Sequence, residues 1–158
     1  MVHATGEDAT MSGLPSSAGE VLVCGCQKDD VRILEEIMGS SGPSVRAIDQ
    51  PAEMARQAVT RLPVAVFIGL RKRDRARLQI IPVLRAAWKE LPVIVIADEG
   101  SLELERKARQ AGIFYYFVHP LSSEEARAVL NDLLRRTKRK GAPRPAAGRT
   151  ILRQRRKP

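Results

Sequence analysis

Val64–Leu70 reads VAVFIGL, seven residues without a charged or polar side chain. A run this short, rich in β-branched residues and apolar at every position, is a strand buried on both faces, since a half-exposed strand would alternate apolar with polar residues. Pro92–Ala97 (PVIVIA), Glu20–Cys26 (EVLVCGC) and Ile113–Val118 (IFYYFV) read the same way, and Ser44–Ile48 adds a fifth, more polar strand. Central strands of this kind need cover on both sides, which points to a parallel sheet between two layers of helices.

The segments between the strands supply those helices. Asp29 or Asp30 is placed to cap a helix with Val31, Leu34, Ile37 and Met38 on one face and Gly39 at its end. Gln50-Pro51 with Glu53 opens a second, because proline suits the first helical position and an acid suits the first turn. Leu78, Ile81, Leu84, Trp88 and Leu91 recur at three- and four-residue intervals and predict one long helix after the third strand. Ser101–Gln110 forms a fourth. Ser122 and Glu125 have the spacing of a capping box, opening a last helix that carries Ala126, Val129, Leu130, Leu133 and Leu134. Five strands alternating with five helices give the α/β class, a doubly wound five-stranded parallel sheet in the flavodoxin-like order 2-1-3-4-5.

At 158 residues the chain fits one domain with loose ends. Residues 1–19 read as a disordered lead-in rich in Ser, Gly and Ala, 20–137 as the domain, and 138–158 as a flexible tail. No stretch reaches the roughly 18 apolar residues of a membrane span, and the N-terminus lacks the pattern of a secretory signal. Cys24 and Cys26 lie too close to staple a fold and have no second ligand pair for zinc, so they read as reduced thiols of a cytoplasmic protein.

Charge is unevenly spread. Of 27 Lys and Arg residues, eleven fall from Arg135 onward, where there is no acid; sixteen face eighteen acids before that point. A near-neutral domain therefore carries a cationic tail, and an anionic partner belongs at the tail.

Around the fifth strand, Ala111-Gly112, Tyr116 and His119-Pro120 resemble the Gly-Ala-x-x-Tyr-x-x-Lys-Pro passage of response-regulator receiver (CheY-like) domains. The likeness covers roughly Glu20 to Arg136. It implies a cis peptide before Pro120 and an aromatic switch position at Tyr116. It also implies that the receiver's chemistry is missing. The acidic pair that holds a divalent cation falls on Gly25 and Cys26. The phosphoacceptor aspartate falls on Gly69, the hydroxyl residue on Ala97 and the lysine on His119. Glycine has no nucleophile, and magnesium wants hard oxygen ligands. Asp29, Asp30, Asp74 and Asp98 lie near these loops but read as caps rather than as a rebuilt metal site. No catalytic residue, no metal site and no cofactor is assigned, and the chain is read as a non-enzyme.

Two basic segments remain. Arg71-Lys72-Arg73-Asp74-Arg75-Ala76-Arg77 follows Gly69, and its Arg71-x-x-Asp74 is similar to a short cyclic di-GMP-binding motif; the plainer reading is a solvated loop and helix start. Lys138–Pro158 (KRKGAPRPAAGRTILRQRRKP) is broken by Gly141, Pro143, Pro145 and Gly148. Its distal cations are arginines, with Lys157 the exception, and Ile151-Leu152 sits among them. Arginine offers a planar fork for phosphate and for the O6/N7 edge of guanine.

A receiver without a phosphoacceptor plus an arginine-rich tail resembles the CheY-like cyclic di-GMP effectors, the Cle group. That resemblance implies a signalling adaptor that binds cyclic di-GMP through Arg144, Arg149, Arg153, Arg155 and Arg156 and docks a protein partner, the flagellar motor switch. Two other readings stay open: a nucleic-acid-binding protein using the tail as an electrostatic arm, and a protein-interaction module that works without phosphorylation.

Overall fold

The computed structural model describes residues 19–71 and 75–140. They form a five-stranded parallel sheet of β1 (Glu20–Cys24), β2 (Ser44–Ile48), β3 (Ala65–Leu70), β4 (Val93–Ala97) and β5 (Tyr115–Val118), in the order β2-β1-β3-β4-β5. The helices are α1 (Lys28–Met38), α2 (Pro51–Thr60), α3 (Ile80–Ala87), α4 (Leu102–Gln110) and α5 (Ser123–Lys140). The expected fold class and strand order are those observed.

Strand periodicity divides the core into two layers. Leu22, Cys24, Val66, Ile68, Leu70, Val93 and Val95 face α2, α3 and α4, against Met54, Ala58, Ile81, Leu84 and Leu104. Val21, Val23, Phe67, Ile94, Ile96 and Phe117 face α1 and α5, against Leu34, Met38, Leu130 and Leu133. All six residues of β3 are buried, as expected for the middle strand. On the edge strand β2, Arg46 points outward and pairs with Glu20 (Nε–Oε2 3.0 Å).

Several ends follow the rules read from the sequence. Gly39 closes α1 at φ +68, Pro51 opens α2, and the Ser101 hydroxyl accepts from the Leu104 amide at the start of α4. Ser122 accepts from the Glu125 amide at 3.2 Å, but the Glu125 carboxylate accepts from the Tyr115 hydroxyl at 2.5 Å. The box is therefore half made, with its acid turned to a strand. Helix α5 continues through Lys140, three residues into the segment read as tail.

The single long helix expected after β3 is instead a 3-10 turn, Arg75–Gln79, followed by the two-turn helix α3. Pro82 explains the break. It has no N–H to give the Leu78 carbonyl, and its ring crowds that oxygen, so the α-helix can begin only where proline falls in its first turn. Trp88 then leaves the helix with extended backbone and donates its indole N–H to the Ala58 carbonyl of α2 at 2.7 Å.

That bond joins two helices over one core layer. Trp88→Phe keeps the ring and removes the donor, and it should cost about 0.5–1.5 kcal/mol. In urea titrations the midpoint should fall while the slope stays unchanged.

Candidate functional site

Doubly wound folds collect their chemistry at the carboxyl ends of the strands. In this chain that edge is built from Gly25, Cys26 and Gln27 after β1, Gly69 to Arg71 at the end of β3, Ala97 and Asp98 at β4, and His119-Pro120 after β5. Strand register brings them together. Cys24 lies opposite Ile68, so Gly25 and Gly69 are the next facing positions on β1 and β3. Across the other seams, Leu70 pairs with Ala97 and Ala97 with Val118.

At the centre of the edge the two glycines are in backbone contact. A Cβ placed on Gly69 would fall on the Gly25 carbonyl oxygen, 2.5 Å from its carbon and 2.8 Å from the Cys26 nitrogen. Gly25 itself has φ +75, in the region that disfavours other residues. A Cβ there would meet the Arg77 guanidinium, 2.5 Å from Nη1 and 2.6 Å from Cζ. Arg77 reaches back from the 3-10 turn, and its Nη1 donates to the Gly69 carbonyl at 3.3 Å. The loop reading of residues 71–77 is thus corrected at one residue: Arg77 is half-buried and turned onto the sheet, whereas Arg71 is exposed. Residues 72–74, with Asp74, lie outside the described residues.

Two acids near this edge, Asp98 and Asp30, are engaged. The Gln27 amide donates to Asp98 Oδ1 at 3.0 Å, tying the β1 loop to the β4 loop. Asp30 is fully buried on α1. Its Oδ2 lies 2.7 Å from His119 Nδ1, and its Oδ1 accepts from the Leu121 amide at 3.1 Å. The expected helix cap is therefore a clasp between α1 and the β5–α5 connection. The N-cap is Gln27, which makes no side-chain cap bond. His119 occupies the end of β5 with its side chain 24% exposed, and the peptide before Pro120 is cis. Among the described residues no three His, Cys, Asp or Glu side chains converge as metal ligands.

Neither Cys24 nor Cys26 is in a disulfide. Cys26 is only half-buried as a residue, yet desolvation pushes its thiol up to about 12, with Asp30 and Cys24 adding and Arg77 opposing. Tyr116, on the face of α2–α4, is buried, and its hydroxyl has no hydrogen-bond partner among the described residues. Burial, with Glu105 second, raises its pKa above the usual tyrosine value and so disfavours its ionisation.

No protein-family profile matches the chain. In sequence it is 28% identical over 135 residues to the transcriptional regulatory protein PrrA of Mycobacterium leprae, covering 85% of this chain and 57% of that protein. PrrA of Mycobacterium tuberculosis is also 28% identical, over 131 residues. The chain spans little more than half the length of these curated relatives. In structure it is similar to a CheY-like response regulator receiver domain from Methanospirillum hungatei, with a TM-score of 0.65 and 16% identity over 79% of this chain and 100% of that one. NtrX from Brucella abortus, solved with ATP, gives a TM-score of 0.64 and 21% identity over 78% of this chain and 28% of that one.

The chain has the CheY-like receiver fold. At the positions that match a receiver's site it has no carboxylate at Gly69, none at Gly25 or Cys26, and no hydroxyl at Ala97. The five arginines read as ligand contacts, Arg144, Arg149, Arg153, Arg155 and Arg156, lie outside the described residues. Sequence reasoning missed the role of Asp30, because an acid in a first helical turn is ordinarily a cap. It also missed that of Arg77, although two facing strand-end glycines were a signal that something closes over them.

Returning the acid at position 69 should not return the chemistry. Gly69→Asp is expected to gain no phosphoryl adduct by mass after incubation with acetyl phosphate and magnesium, because its side chain must first displace the Gly25 peptide. Gly69→Ala, the smallest probe of the same crowding, should destabilise the domain by about 1–3 kcal/mol in denaturant titrations.

Cys26 sets a pH dependence. Its folded-state ionisation lies above the ordinary value of 9.0. Between that value and about 12 the unfolded chain releases a proton that the folded chain keeps. Stability should therefore fall as pH rises above about 9. The loss between pH 8 and pH 10.5 should be smaller in Cys26→Ser, which separates the thiol from the tyrosines.

Proposed function

We propose that this chain is a signalling adaptor whose receiver domain works without phosphorylation and whose input is cyclic di-GMP. The observation that carries the first part is the contact between Gly69 and the Gly25 peptide: the phosphoacceptor position has neither a nucleophile nor room for one. A receiver in that state needs another input. The second part rests on the basic segment from 138 onward, set beside a domain with slightly more acids than bases. Cyclic di-GMP presents two phosphates and two guanines, and a guanidinium matches both. Arg144, Arg149, Arg153, Arg155 and Arg156 are the proposed contacts, with Ile151-Leu152 ordering the segment on binding. The proposed output is docking of the receiver onto a protein partner, the flagellar motor switch.

A second reading draws on the PrrA relatives, whose name is transcriptional regulatory protein. In it the same arginines contact DNA phosphates. The two readings differ in salt response and base preference. Duplex binding through several phosphates weakens by orders of magnitude between low and moderate salt. A dianion held partly by guanine contacts loses far less.

Calorimetry on the full chain, with cyclic di-GMP, cyclic di-AMP and a short duplex across a salt series, tests the proposal. Cyclic di-GMP should bind and cyclic di-AMP should not. Arg149→Ala and Arg153→Ala should each weaken binding by about 1–3 kcal/mol, the worth of a bidentate guanine contact, while Lys157→Ala should change little. Equal binding of the two dinucleotides removes guanine recognition. Binding of the duplex alone supports the second reading.

A further inference from the structure

We infer that Arg77 is a built-in latch, its guanidinium filling the vacated receiver site and holding the carboxyl ends of β1 and β3 in one arrangement. The inference takes the reading of a non-phosphorylated receiver one step further, from what the site lacks to what occupies it.

The geometry is specific to this side chain. A guanidinium is planar, permanently charged and weakly hydrated for a cation, so it can lie flat on a peptide while donating from its edge. Arg77 does both. Its Nη1 donates to the Gly69 carbonyl, and Nη1, Cζ and Nε all lie within 3.0 Å of where a Cβ of Gly25 would stand. The guanidinium therefore fills the space that a side chain on Gly25 would take. The 3-10 turn that carries Arg77 packs on β3. Turn, guanidinium, Gly25 and Gly69 make a closed circuit of four parts. Two glycines are required for it. One gives the φ +75 bend and the bare surface, and the other gives the backbone contact.

Cys26 reports on this latch without interfering with it. Its backbone nitrogen is part of the Gly69 contact, and Arg77 acts on its thiol electrostatically. Cys24, two residues earlier and buried inside the sheet, is the internal control. The two possible effects of removing Arg77 have opposite signs. Loss of a positive charge makes the Cys26 thiolate scarcer and slows alkylation. Opening of the loop exposes the sulfur and speeds it.

The test is native-state labelling of the full chain with iodoacetamide, followed by peptide mass mapping of each cysteine. In Arg77→Ala, Cys26 should be modified at least about tenfold faster than in the wild type, with Cys24 unchanged. Gly25→Ala, which displaces the guanidinium from the other side with Arg77 present, should give the same selective rise. An unchanged or slower Cys26 rate in Arg77→Ala overturns the latch. So does an equal rise at both cysteines, which marks global unfolding rather than local opening. Neither a phosphodonor nor cyclic di-GMP enters the measurement. Its failure therefore leaves the proposed function standing, and a failure of cyclic di-GMP to bind leaves the latch standing.

Discussion

Two peptide backbones meet where a receiver would hold an aspartate. Gly25 and Gly69 follow in register on neighbouring parallel strands, and with no side chain on either the strand ends come into direct contact. The rest of the carboxyl edge is arranged around that contact. Gly25 turns with positive φ and releases the chain into α1. The turn after β3 brings Arg77 back over the pair. Gln27 leans to Asp98, so the loops after β1, β3 and β4 are stitched to one another. A carboxylate at position 69 would have to separate strands whose other positions are fixed by a sheet buried on both faces.

Most of the fold was legible because it rests on short-range patterns. VAVFIGL and PVIVIA are apolar throughout and lie in the middle of the sheet; SVRAI is more polar and lies at its edge. The alternation of buried residues between the two core layers is the period of a strand and needs no tertiary knowledge. The segment from Leu78 to Leu91 was misjudged, since hydrophobic spacing counts side chains and ignores the backbone. Pro82 changed the helix without disturbing the apolar face: Ile81 and Leu84 are buried as their spacing required, and Leu78 and Trp88 still pack against the same layer.

The site was less legible, for a different reason. What was missing could be read at Gly25, Cys26, Gly69 and Ala97, because absence of a functional group is a property of single residues. What replaced it depends on contacts between distant segments. In RKRDRAR any arginine could turn inward, and nothing in the run itself says that Arg77 does. Asp30 and His119 are 89 residues apart, and nothing in either neighbourhood announces the other. The arginines beyond Lys140 were chosen on composition and remain a proposal for the same reason.

Asp30 also bears on when the domain can be completed during synthesis. Its carboxylate is fully buried and satisfied by His119 and by the amide of Leu121, both of which leave the ribosome long after α1. A chain carrying only the first four strands would have to bury this carboxyl beneath α1 with neither hydrogen-bond partner present, at a cost of about 1–3 kcal/mol. Full packing of α1 therefore depends on the β5–α5 connection being in place. The clasp thus ties the first helix of the domain to its last connection, two segments that are far apart in the chain.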